Sequence, residues 1–100
     1  MRRKRFDPAL LAKLRSMTPQ QTLDRLGLHW QRDPDFRPQK DPRTARLYVT
    51  VGSSVFELVV TGVRWYDTRA ERGGGGAIDL AMHLLRLSFV DAVKRLSQDG

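Results

Sequence analysis

The hydrophobic positions along the chain change their period twice. Near the start, Leu10, Leu11 and Leu14 share one side of a 3.6-residue repeat, and Asp7 followed by Pro8 supplies an N-cap and a first helical position. A second helix start stands in "TPQQ", where Thr18 as cap, Pro19 behind it and Gln21 three residues on form a capping box. Leu23 and Leu26 give that helix its buried stripe, and Gly27 ends it in left-handed backbone. The period then shortens to two in "RLYVTV", "VFELVV" and "VRWYD", stretches rich in β-branched and aromatic residues and separated by "GSS" and "TG". Leu47, Val49 and Val51 alternate with Tyr48 and Thr50, so one face is apolar and the other half polar, and Gly62 can take positive φ in the second turn. Helical period returns in "AIDLAMHLL", where Ile78, Met82 and Leu85 form a stripe widened by Ala81 and Leu84. A last helix is capped by Ser88, with Asp91 three residues later and Phe89, Val93 and Leu96 along one side. The order α, α, β, β, β, α, α predicts an α+β fold in which a small three-stranded antiparallel sheet packs against helices.

Residues 31–46, "QRDPDFRPQKDPRTAR", follow neither period; three prolines and mixed charge predict a loop. Its length is above that of ordinary connections, so it is either a solvated excursion or a functional segment. The chain of 100 residues suffices for one modest core. Its expected organisation is a basic arm with a short helix over 1–17, the main domain over 18–97 and a tail over 98–100.

Charge narrows the choice of partner. Eighteen Lys and Arg against eleven Asp and Glu give a net charge of +7. A body so small and so basic attracts polyanions, nucleic acid first and an anionic membrane or acidic protein second. The absence of cysteine excludes disulfides and thiolate metal sites and suits a reducing cytoplasm. The basic start "MRRKR" runs into "FDPALLAKLRS", which Asp7, Lys13 and Arg15 interrupt, so no signal peptide is read, and no apolar run approaches the roughly 18 residues of a membrane span. A cytoplasmic protein without membrane association is expected.

The run "RGGGGAIDL" invites comparison with phosphate-binding loops. A P-loop ends in Gly-Lys-Ser or Gly-Lys-Thr, and a dinucleotide fingerprint needs spaced glycines and a distant acid; neither is present, so no nucleotide cofactor is expected. Two readings remain: the glycines turn the chain, or the first amides of the following helix, with Arg69 and Arg72 upstream, hold one phosphate. His29 and His83 are the only histidines and stand at no zinc-like spacing; His83, between Met82 and Leu84, reads as a packed or surface residue. No nucleophile signature or paired carboxylates accompany it, so no catalysis is expected. In "VRWYDTRAER" aromatics interleave with arginines, the composition of a surface that stacks unpaired bases and holds phosphates. Alternation sends Trp65 with Val63 into the core and turns Arg64 and Tyr66 outward, toward Tyr48. The competing reading places both aromatics in the core and leaves the arginines to solubilise.

The stretch "WYDTRAERGGGGAIDLAMHLLRLSFVDAVKRL" resembles the zinc-binding domain of bacterial primases and its zinc-less relatives in plasmid and mobile-element proteins: an aromatic strand end, a glycine turn, "AIDL" opening a helix and "LSFVDAVKRL" closing it. "TPQQTLDRLGL" is similar to the helix preceding that family's sheet. Where the family carries its ligand pairs, this chain has Thr68, Arg69, Ala70 and Glu71, and no Cys or His over 35–46, so zinc is expected to be absent. The resemblance implies a metal-free, primase-finger-like sheet and a non-enzymatic accessory that binds single-stranded or partly open DNA during replication or transfer of a plasmid or other mobile element. The residues expected to meet DNA are Lys40, Arg43, Arg46, Tyr48, Arg64, Tyr66, Arg69 and Arg72. A primase, helicase or relaxase is the expected protein partner. The alternative is a protein-interaction module that docks on a replication or transfer enzyme.

Overall fold

A computed structural model describes residues 6–98; most of the basic arm, at 1–5, and the end of the predicted tail, at 99–100, lie outside the described residues. The elements are α1 (Pro8–Arg15), α2 (Pro19–Arg25), β1 (His29–Arg32), β2 (Ala45–Val51), β3 (Ser54–Thr61), β4 (Arg64–Asp67), β5 (Arg72–Gly75), α3 (Gly76–Leu85) and α4 (Phe89–Ser97). The expected caps form. Asp7 accepts the Ala9 amide at 2.9 Å and Ser88 the Asp91 amide at 3.1 Å. Thr18 and Gln21 exchange reciprocal bonds at 3.1 and 3.0 Å.

The sheet has five strands, not three, in the order β1-β2-β3-β4-β5 with every neighbouring pair antiparallel. The α+β class stands; the three-stranded finger does not. Both additional strands are edges with little intrinsic strand preference. β1 reads "HWQR" and lies partly in the segment expected to be a loop; it forms because Trp30, opposite Val49, packs against the sheet's buried cluster while its backbone pairs with β2. β5 reads "RGGG", so the glycine run is an edge strand instead of a turn.

The reason for the glycines lies across the ladder. Gly74 pairs with Trp65 and Gly73 with Tyr66. A β-carbon on Gly74 would stand 2.9 Å from Trp65 Cζ2, and one on Gly73 would stand 3.2 Å from Tyr66 Cδ1. Each aromatic ring thus leans over a partner that must have no side chain. Gly76, at φ +82°, turns the strand into α3 where a β-carbon would meet the Arg15 carbonyl oxygen at 2.7 Å.

Helices cover one face of the sheet. Leu23 of α2 and Leu80 and Leu84 of α3 pack on Leu47, Val49, Leu58, Val60 and Trp65. A second buried layer joins the helices to one another through Leu14 of α1, Ile78 and Ala81 of α3, and Ala92, Val93 and Leu96 of α4. Among the described residues no helix lies on the opposite face of the sheet, whose outward residues range from half-buried to exposed. None of the helices is long and apolar enough to cross a membrane among the described residues.

Candidate nucleic-acid interface

Strand alternation decides which side chains reach the uncovered face. The register aligns Arg46, Val59, Tyr66 and Gly73 in one row across four strands, and Thr61, Arg64 and Gly75 in the next. Tyr66 is 43% exposed while its neighbour Trp65 is 4% exposed, as period-two alternation requires. Because Gly73 and Gly75 add nothing to this face, the sheet ends beside Tyr66 in an open groove of about 640 Å³, lined by Val59, Thr61, Arg64, Tyr66, the glycines and Asp41. Tyr48 shares the face but does not adjoin Tyr66. It pairs with Glu57, Tyr66 pairs with Val59, and β3 stands between them.

The cations expected to form one track have different fates. Arg46 donates to Asp33 Oδ2 at 2.9 and 2.7 Å, Tyr48 donates its hydroxyl to the same oxygen at 3.2 Å, and the Arg46 guanidinium lies 5.1 Å over the Phe36 ring. These contacts pin the segment after β1 to the sheet, so Arg46 and Tyr48 act as its clasp. Arg43 forms a two-pronged pair with Asp41 at 3.2 and 2.9 Å. The carboxyls answer electrostatically. The Asp35 amide and then Arg46 hold Asp33 below the ordinary aspartate value, and Arg43 does the same for Asp41. Lys40 and Arg64 are exposed and in no ion pair among the described residues. Arg69 donates to the Val55 carbonyl at 3.1 Å, at the end of the sheet away from Arg64. Arg72 does not share the face at all: opposite the inward-turned Asp67, it lines a cleft on the helix side with His83.

A buried polar cluster escaped the sequence reading. Asp67, 2% exposed, receives the Arg69 and Ala70 amides on Oδ1 at 3.0 and 3.1 Å, and its Oδ2 lies 2.7 Å from His83 Nε2. The His83 ring also lies 4.9 Å from the Trp65 ring at an interplanar angle of 31°. Burial pushes the Asp67 carboxyl up, but the bonds from His83 and the two amides outweigh it and hold the group below its usual value. The alternation that buries Trp65 also buries Asp67, two residues on; that a charged residue falls on an apolar face was the available signal. Among the described residues no group of three or more His, Asp or Glu side chains is placed to hold a metal ion.

Compared with known proteins, the chain matches no family model, no curated protein and no solved structure.

Proposed function

We propose that this chain is a non-enzymatic DNA-binding module whose uncovered sheet face receives single-stranded or partly open DNA. The observation that carries the reading is Tyr66, exposed between Val59 and the side-chain-free Gly73, with Arg64, in no ion pair among the described residues, one register step away. A ring so placed offers a flat surface to an unpaired base, and Arg64 stands where the adjoining phosphate passes. A duplex keeps its bases stacked inside and cannot use that ring. The resemblance of residues 65–96 to the primase zinc-binding domain, which rests on sequence alone, supports a role in replication or transfer of a mobile element beside a primase, helicase or relaxase.

Recognition of this kind is mainly electrostatic, with weak sequence preference and strong salt dependence. Fluorescence anisotropy of labelled single- and double-stranded oligonucleotides over a salt series tests it. Single strands bind more tightly, and log affinity falls by about 0.7 per phosphate contact for each log unit of salt. A folded chain that binds neither form at about 50 mM salt overturns the DNA reading and favours docking on a replication enzyme.

A further inference from the structure

We propose that the cleft between the β5 edge and the C-terminal half of α3 is an oxyanion site for a phosphate group, separate from the sheet face. The cleft has a volume of about 370 Å³, and its walls include Trp65, Arg72, Gly73, Asp79, His83 and Arg86. Nothing in the sheet-face reading requires it.

Three features meet there. Arg72 enters from the start of β5 and Arg86 from the end of α3, and neither makes an ion pair or a side-chain hydrogen bond among the described residues. Two arginines lining one cleft favour an anion there, and the planar fork of each suits phosphate oxygens. Second, Arg86 caps α3 at φ 55° and ψ 44°, a left-handed conformation that glycine adopts freely and an arginine adopts only at a cost. The chain thus sets a cation at the one position of this helix end where glycine is the usual solution.

The third feature is an unpartnered donor. Trp65 is 4% exposed and its indole Nε1–H is buried without an acceptor among the described residues. Cε2, the ring atom bonded to Nε1, lies 3.2 Å from the point where a Gly74 β-carbon would stand, and Asp79 Oδ2 lies 3.1 Å from that same point. The indole thus stands against Gly74 and beside Asp79 in the wall of the cleft. Asp79 does not satisfy the indole N–H; its Oδ2 accepts the Gly75 amide at 3.3 Å. Buried donors are rarely left unpaired, so this wall of the cleft is polar, and a phosphate has enough oxygens to meet both arginines together. The phosphate is either the terminal group of a nucleic-acid strand or that of a free small molecule.

The chain holds two tryptophans, and their indole N–H signals in a ¹H–¹⁵N spectrum make the test. Trp30 donates its Nε1–H to Asp24 at 2.8 Å and serves as the internal control. Titration with inorganic phosphate at constant ionic strength moves the Trp65 indole signal saturably and leaves that of Trp30 in place. Arg86→Gly removes the guanidinium and relieves the left-handed backbone, so the fold is kept and the phosphate response weakens by about tenfold or more. Asp79→Asn, which removes an opposing charge from the wall, strengthens it. Tyr66→Ala leaves it unchanged, so the site and the sheet-face reading fail separately. A 5′-phosphorylated oligothymidylate acting at lower concentration than inorganic phosphate and than its 5′-hydroxyl twin assigns the group to a strand end; inorganic phosphate acting as well as the phosphorylated strand assigns it to a free molecule. A Trp65 signal that stays still up to about 20 mM phosphate, or one that responds equally in Arg86→Gly and Arg72→Gln, overturns the proposal.

Discussion

His83 Nε2 lies 2.7 Å from Asp67 Oδ2, a bond that ties the last turn of α3 to the end of β4. The same carboxylate caps the turn carrying Arg69 through its other oxygen, so one buried side chain holds a helix, a strand and a loop in register. Removing either partner leaves a buried polar group without its bond, at a cost of about 1–3 kcal/mol. Asp67→Ala is expected to lower stability by at least that much and His83→Gln by less, because the amide can still donate. Urea unfolding followed by circular dichroism measures both; an Asp67→Ala midpoint equal to that of the parent chain contradicts the assignment.

Stability should fall in acid. Asp67, Asp33 and Asp41 are all held below the ordinary value of 3.8, by His83 and turn amides against burial, by the Asp35 amide with Arg46, and by Arg43 respectively. A carboxyl whose pKa is lower folded than unfolded binds fewer protons in the folded state, so its contribution is complete above the unfolded value and is lost as pH falls through the folded one. Urea midpoints are therefore expected to hold steady down to about pH 5 as far as these groups decide them, and to drop below about pH 4. Asp67→Asn should shallow the drop; a midpoint that rises on acidification has the wrong sign.

The four glycines are expected to respond unequally. Gly74→Ala drives a methyl into the Trp65 ring and Gly76→Ala meets both positive φ and the Arg15 carbonyl, so each should cost about 1–3 kcal/mol or more. At Gly75, where the nearest atom to a new β-carbon is the Val63 carbonyl oxygen at 3.9 Å, alanine should be tolerated within about 0.5 kcal/mol. Thermal melts of the three variants check the order, and equal losses at Gly74 and Gly75 would refute the aromatic-over-glycine explanation.

On the sheet face, Tyr66→Ala should reduce oligonucleotide affinity by about 1–3 kcal/mol and lower the melting temperature less than Gly74→Ala does, since the ring is 43% exposed. Arg64→Gln should lower the salt slope by about 0.7, the signature of one lost phosphate contact. Arg46→Gln separates the two kinds of arginine: it releases Asp33 and Phe36 and should affect stability more than the salt slope. An Arg46 variant whose loss appears only in DNA affinity would return that residue to the binding track.

The sequence by itself determined the four helices and the N-caps of α1, α2 and α4, the three strands between Ala45 and Asp67, and the opposite orientations of Trp65 and Tyr66. Each of these is a short-range property: a cap bonds an amide two or three residues away, and side-chain period is set by backbone geometry. Only the tertiary structure decided the rest. β1 and β5 have edge-strand sequences of weak preference and form by pairing with β2 and β4, so neither the prolines after β1 nor the glycines of β5 disclosed them. Whether Arg46 is free or clasped depends on an acid brought up from elsewhere: Asp33 lies thirteen residues away, as Asp67 lies sixteen from His83. Local composition could count the charges, but which of them stay unpaired was settled by chain segments meeting across the sheet.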